Sequence, residues 1–107
     1  MAKASYWQRG ESLDYKNNTN AVIEANTVID LSTRIGIAGT TINPGEVGSL
    51  HVVGVYQLPK TGADEIAMGA DVTFDGTGIT TGTGTPAGYA AATAAANDAF
   101  ILVKLLG

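Results

Sequence analysis

The chain has 107 residues, ten acidic and six basic side chains and no cysteine, so it fits one domain without disulfides, thiolate zinc sites or a cysteine nucleophile. Its net charge of −4 and its single histidine, His51, argue against a nucleic-acid binder, which needs a dense basic patch, and exclude a zinc site built on two histidines. The absence of an apolar run of ~20 residues and of a signal-peptide core predicts a soluble protein made in a cytoplasm and not exported, with no membrane partner.

The N-terminus differs from the rest of the chain, because residues 1–16 hold half of the basic side chains and the only tryptophan. An aromatic pair, Tyr6-Trp7, so near a terminus favours a tail packed on its own core. The alternative is an arm that lies on a partner protein, where Trp and Tyr are preferred anchors. We divide the chain into an N-terminal arm, residues 1–9, and one β domain, residues 10–107.

Residues 11–58 show the pattern of a β protein, with short extended segments between turn formers. Strands are predicted at residues 13–15, 21–23, 28–31 and 34–38, followed by the longest strand, at residues 47–58. The Asn17-Asn18-Thr19 sequon is predicted to be a turn, since no export signal precedes it. The longest strand has apolar residues on both faces, which is typical of a strand covered on both sides. Pro59 should end its pairing, and His51, in its middle, is expected to be a packed or surface histidine.

Asp71 and Asp75 flank a clean alternating strand in which Val72 and Phe74 point inward. Four residues of strand separate the two carboxylates by ~13 Å, beyond the ~5 to 9.5 Å used by glycosidase pairs, so a solvated face is predicted. Residues 76–86, rich in Gly and Thr, predict a hairpin with a mobile loop. The GxGxxA spacing within them is not a dinucleotide site, because too few residues follow for a βαβ unit.

The alanine-rich run at residues 87–96 has helical propensity but is only about two turns long, too short to be stable alone. Residues 99–106 then form a strong final strand. Ile101, Val103 and Leu105 would share one face, and Phe100, Leu102 and Leu106 the other. Two apolar faces on such a strand indicate that its outer face is covered by a loop or by a neighbouring subunit, because a bare edge would promote aggregation.

The segment Gly54-Val55-Tyr56-Gln57-Leu58-Pro59-Lys60 resembles the Gly-Val-aromatic-x-Leu-Pro-Lys signature of phage capsid cement, or decoration, proteins, first catalogued as a domain of unknown function. The resemblance extends over most of the chain, and the order and spacing of its motifs carry it. Some members carry a recombinase label, which this sequence does not support, since it has no Gly-Lys dipeptide and hence no phosphate-binding loop. The other matching segments are residues 9–11, 35–38, 45–48, 68–72, 88–90 and 100–105.

The resemblance implies an all-β barrel or sandwich that binds the outer surface of an icosahedral phage head, and it favours a short hairpin connection over a helix at residues 91–96. The expected partner is the major capsid protein. On this hypothesis the protein is made in the bacterial host cytoplasm, acts on the capsid exterior, has no cofactor or enzymatic activity, and is a homo-oligomer, with a trimer favoured. The candidate capsid contacts are Tyr6, Trp7 and Arg9, and the candidate subunit contacts are Phe100, Leu102 and Leu106.

A glycan-binding module and an enzyme are the two alternative function classes. A module for host-surface glycans would use Trp7, Tyr56 or Tyr89 as a stacking platform, but the aromatic residues are scattered along the chain. An enzyme would need a nucleophile with a base and an orienting group, and His51 has no such partners nearby in sequence. Another structural component of a phage particle, in the tail or at head completion, stays open.

Overall fold

The computed structural model describes residues 1–107 and contains nine β-strands and no helix, which confirms the all-β prediction. The four-stranded N-terminal sheet has the order β1-β4-β3-β2, and the five-stranded C-terminal sheet has the order β5-β9-β8-β6-β7. All strand pairs are antiparallel. The strands are β1 (Ser12–Lys16), β2 (Val28–Asp30), β3 (Ile35–Ala38), β4 (Val47–His51), β5 (Val55–Pro59), β6 (Asp71–Phe74), β7 (Ile79–Thr80), β8 (Thr85–Ala90) and β9 (Phe100–Leu105).

The two sheets are structural repeats, which we name the N-terminal repeat (residues 11–52) and the C-terminal repeat (residues 54–105). Strands β1, β4, β3 and β2 correspond to β5, β9, β8 and β6, and β7 is the extra strand of the second sheet. The registers agree: Ser12 pairs with His51 across β1 and β4, and Val55 pairs with Lys104 across β5 and β9.

The connecting turns repeat as well. The backbone amide of Asn43 donates to the Glu46 carboxylate at 3.2 Å, and the amide of Ala95 donates to the Asp98 carboxylate at 2.8 Å. An isolated antiparallel bridge covers each sheet, between Ile23 and Ile42 in the first repeat and between Ile66 and Ala94 in the second. The same backbone architecture is therefore built twice from largely different side chains.

The two faces of the N-terminal sheet enter separate hydrophobic clusters. One face contributes to a small cluster of Ile29, Ala38, Leu50 and Val52. The other face contributes Ile35 and Ile37 to the main core, whose remaining members all belong to the C-terminal repeat. These are Leu58, Ile66, Val72, Ile79, Ala87, Ala90, Ala94, Ile101, Val103 and Leu105. The N-terminal repeat thus packs on the main core through Ile35 and Ile37 and keeps a small cluster of its own.

The long strand predicted at residues 47–58 is wrong as a single element. It is divided into β4 and β5, which belong to different sheets, with Gly54 at a φ of +128° in the break between them. The apolar pattern runs through the break because Val52 is buried in the small cluster while Leu58 is buried in the main core. Pro59 is the last residue of β5, where it lies opposite Phe100.

Three further details of the second repeat bear on the sequence predictions; the first two differ from them and the third agrees. Strand β9 lies between β5 and β8 and is not a sheet edge. Residues 76–86 comprise the turn into β7 and the start of β8, with Pro86 opposite Thr73 beside a register shift between Val72 and Thr73. The resemblance favoured a short connection over a helix at residues 91–96, and the structure agrees: these residues contain a turn and the bridge at Ala94.

Asn17 is fully buried and satisfies all of its side-chain hydrogen-bonding groups locally. Its Nδ2 donates to the carbonyl oxygens of Ala21 at 2.8 Å and Ile42 at 2.9 Å. Its Oδ1 accepts from the backbone amide of Thr19 at 2.9 Å and from the Thr19 hydroxyl. The sequon asparagine is therefore the structural centre of the turn after β1, and it ties this turn to the bridge that covers the sheet.

We expect Asn17→Ala to lower the free energy of unfolding by about 2–4 kcal/mol, because it removes the hydrogen bonds that the Asn17 amide makes and leaves space at a fully buried position. Asn18 is exposed, so Asn18→Ala should change stability by no more than about 0.5 kcal/mol. Urea denaturation of both variants measures the difference. Equal effects would contradict the role assigned to the Asn17 amide.

Asp75 closes the turn between β6 and β7. Its carboxylate accepts hydrogen bonds at 2.9 Å from the backbone amides of Thr77 and Gly78, and at 2.8 Å from the Thr61 hydroxyl. These bonds, with the Thr77 amide as the largest contributor, hold the pKa of Asp75 well below its usual range. The ionised form therefore stabilises the turn, although the side chain itself is exposed.

Asp75→Ala should lower the melting temperature at neutral pH more than Asp71→Ala, a substitution of an exposed carboxylate in the adjoining strand. Because the folded-state pKa is depressed, the stabilisation is complete above the unfolded-state value near about 4 and is lost as the pH falls through the lower folded-state value. The difference between wild type and Asp75→Ala should therefore shrink below pH about 4. A difference that is independent of pH, measured by thermal denaturation from pH 2 to 7, would count against this explanation.

Candidate interaction surfaces

The N-terminal arm is exposed along its whole length and has no strand before β1. Tyr6 and Trp7 are 83% and 89% exposed, so the prediction of a tail packed on its own core is wrong. The only side-chain hydrogen bond in the arm joins Gln8 Nε2 to the carbonyl oxygen of Ser12 at 3.4 Å.

Charge is separated between the arm and the rest of the molecule. The arm carries Lys3 and Arg9 and no acidic residue, whereas the remaining chain carries four basic and all ten acidic side chains. Tyr6, Trp7 and Arg9 lie within four residues of sequence, and all three side chains are exposed in the structure. The arm therefore presents aromatic and cationic groups together in solvent, where another macromolecule can contact them.

A second surface lies on the outer side of the C-terminal sheet. We name it the outer face and define it by Val55, Pro59, Tyr89, Phe100 and Leu102, all of which are exposed. Phe100 lies opposite Pro59 and Leu102 lies opposite Gln57, so the side chains of β5 and β9 form adjacent rows. The alternation in β9 is as predicted, with Ile101, Val103 and Leu105 buried on the inner side.

The structure brings together two of the three predicted subunit-contact residues. Phe100 and Leu102 share the outer face, and their exposed fractions are 54% and 43%. Leu106 is also exposed but follows the end of β9, where its amide donates to the Ala87 carbonyl oxygen. The sequence analysis named Val55 in the signature and Tyr89 as a possible stacking residue but assigned neither to this face, because only the register of β5, β9 and β8 places them there.

The outer face borders a cavity of about 140 Å³. Its lining includes Gln57, Ala92, Thr93, Asp98, Phe100 and Leu102. At the other end of the outer face, Lys104 Nζ lies 5.8 Å from the centre of the Tyr89 ring, a cation–π distance that holds the ammonium group over the sheet. No group of three or more His, Asp or Glu side chains is arranged to hold a metal ion, and no helix could span a membrane.

The signature segment mainly builds the junction between the repeats. Leu58 is buried in the main core, and the Tyr56 ring stacks on His51 with centroids 6.5 Å apart. Lys60 is nearly buried, and its Nζ donates to the Gly62 carbonyl oxygen at 2.7 Å. Gly54 supplies the positive φ of the break, and Val55 is exposed on the outer face. Most of the signature is therefore structural.

We expect Leu58→Ala to lower the free energy of unfolding by about 2–5 kcal/mol, because the site is fully packed. Val55→Ala, three residues away on the opposite face, should change it by no more than about 0.5 kcal/mol. Urea denaturation at a concentration where the protein is monomeric compares the two. A large effect of Val55→Ala would mean that this residue supports the fold itself.

A family model described as phage cement protein matches residues 7–105 of the chain. The match begins at Trp7 and includes both repeats, the signature segment and all nine strands. It confirms the resemblance identified from the sequence. No curated protein and no solved structure matches the chain.

Proposed function

The chain belongs to the phage cement protein family and has a structural role associated with the phage capsid, and we propose that it acts by binding the outer surface of the head and bridging neighbouring major capsid subunits. The observation that carries this proposal is the exposed N-terminal arm, with Tyr6, Trp7 and Arg9 directed away from the protein's own core. The family gives the location, and the arm gives a means of attachment.

The arm has the chemistry of a binding segment. Burying an aromatic side chain removes about 150–250 Å² from water, which corresponds to a gross gain of about 4–6 kcal/mol per ring before the cost of association. Arg9 and Lys3 add positive charge that complements an acidic surface. We therefore propose that the arm contacts an acidic surface of the major capsid protein that also offers an apolar recess for Trp7.

Many weak contacts are sufficient for this role. Copies bound across the joints of one shell act together, so each contact can be modest while the shell as a whole is stabilised. In this proposal the arm (residues 1–9) attaches the β domain (residues 10–107), and copies cluster as trimers at capsid symmetry points through Phe100, Leu102 and Leu106. The protein is made in the host cytoplasm, acts on the virion exterior, and needs neither cofactor nor catalytic step.

Deletion of residues 1–9 should abolish binding to undecorated heads and leave the fold intact, because no core residue lies in the deleted segment. Co-sedimentation with heads measures binding, and thermal denaturation of the free protein measures the fold. Retained binding by the truncated protein would overturn the assignment of the arm.

Trp7→Ala separates a specific contact from a general effect of shortening the chain. We expect at least a tenfold weaker affinity, since a central tryptophan contact is worth about 2 kcal/mol or more. Val22→Ala is the matched control, because Val22 is also an exposed apolar residue but lies in the β domain.

Heads saturated with the wild-type protein should melt at a higher temperature than bare heads, as expected for a ligand that binds only the assembled shell.

A further inference from the structure

Comparison of the repeats shows that part of one face of the N-terminal sheet is covered by the C-terminal repeat, whereas the equivalent face of the C-terminal sheet is uncovered. On the N-terminal sheet, Ile35 and Ile37 lie on the face that the C-terminal repeat covers, and they are 1% and 3% exposed. At the margin of this contact the Thr85 hydroxyl donates to the Asp30 carboxylate at 2.9 Å. The contact between the repeats is therefore a packed interface with a polar margin.

The equivalent face of the C-terminal sheet is the outer face, and nothing in the chain covers it. Tyr89 pairs with Asp71 and Lys104 as Ile37 pairs with Val28 and His51, so Tyr89 is the repeat equivalent of Ile37. Yet Tyr89 is 41% exposed. The second repeat thus lacks the partner that the first repeat finds within the chain.

The side chains at equivalent positions differ in polarity, which gives an internal comparison. The contact between the repeats covers Ile35 and Ile37 but leaves the β1 and β4 positions of the same face accessible to solvent, and those positions are mostly polar. The equivalent positions on β5 and β9 are exposed and mostly apolar. The corresponding strands of the two sheets have the same order, so this arrangement forms with polar side chains at these positions and does not require the apolar side chains of β5 and β9. The equivalent pairs are Ser12 and Val55, Asp14 and Gln57, Lys16 and Pro59, Val47 and Phe100, and Ser49 and Leu102.

The N-terminal repeat carries the matching surface. Tyr56, which stacks on His51 across the contact between the repeats, has Leu13 as its repeat equivalent, and Leu13 is 41% exposed. Val53 follows the first repeat as Leu106 follows the second, and it is 43% exposed. We name Glu11, Leu13 and Val53 the counter-surface. Its acidic residue complements Lys104, whose ammonium group lies over the Tyr89 ring of the outer face.

We propose that the outer face of one molecule binds the counter-surface of a second copy of this chain, so that the contact between repeats is continued from one molecule to the next at Tyr89 and Lys104 and extends over the apolar rows of β5 and β9. Leu13 of one copy lies over Lys104 and Tyr89 of the other, and the Glu11 carboxylate approaches the Lys104 ammonium group. Such a contact joins different surfaces of identical chains and is heterologous, so it forms a ring when its rotation closes. It deepens the self-association in the proposed function by naming both surfaces, and it does not depend on binding to the head.

Light scattering across a concentration series tests self-association of the free protein. The wild type should form a closed oligomer, and Phe100→Asp should weaken its association at least tenfold. Val47→Asp is the matched control, because Val47 is the repeat equivalent of Phe100 and is 60% exposed. It should leave the oligomer unchanged. A wild type that is monomeric at every concentration overturns this inference, and if that monomer still binds heads, the proposed function is unaffected.

Two further measurements distinguish head-to-tail contact from contact between two outer faces. Leu13→Asp should weaken association as much as Phe100→Asp, and an equimolar mixture of the two variants should form dimers, since each variant retains one intact surface. Glu11→Lys and Lys104→Glu should each weaken association, and the double variant should restore it. Normal oligomers from Leu13→Asp, or no restoration by the charge exchange, would overturn the head-to-tail arrangement.

Discussion

Burial of one face of the N-terminal sheet beneath the C-terminal repeat is the contact on which the remaining structure depends. Ile35 and Ile37 are almost completely buried there, and each such side chain contributes about 1.5–3 kcal/mol relative to an exposed one. This contact unites the repeats around a common core, because the small cluster of the N-terminal repeat holds only four buried residues. It also determines which sheet face is left open, and so where a partner can bind.

The β class, most strand positions and the alternation of β9 could be predicted, because each depends on local patterns of apolar and turn residues. The break between β4 and β5 could not, since Val52 and Leu58 belong to different clusters that a linear pattern does not distinguish. The two structural repeats could not be recognised from the sequence either. Their equivalence lies in backbone register and turn geometry, while pairs such as Asn17 and Lys60 satisfy the same buried position with different chemistry.

The candidate surfaces were only partly predictable for a related reason. Residue type identifies candidate contacts at Tyr6, Trp7, Phe100 and Leu102. The sequence does not show whether an aromatic ring packs on the protein's own core. In the structure the arm is exposed along its whole length. The outer face required the strand register, which places Val55, Phe100 and Tyr89 on one side of a sheet although they are far apart in sequence.

In the proposed function, attachment to the capsid and self-association use two surfaces, the arm and the outer face, that differ in chemistry. The arm is basic and aromatic, whereas the outer face is nearly neutral and apolar, so the two do not favour the same partner. A neutral apolar face suits a copy of the same chain, because a contact between acidic surfaces of two molecules would be opposed by electrostatic repulsion. A basic arm suits an acidic surface of a different protein. Attachment and self-association can therefore reinforce each other on a shell without competing for one site.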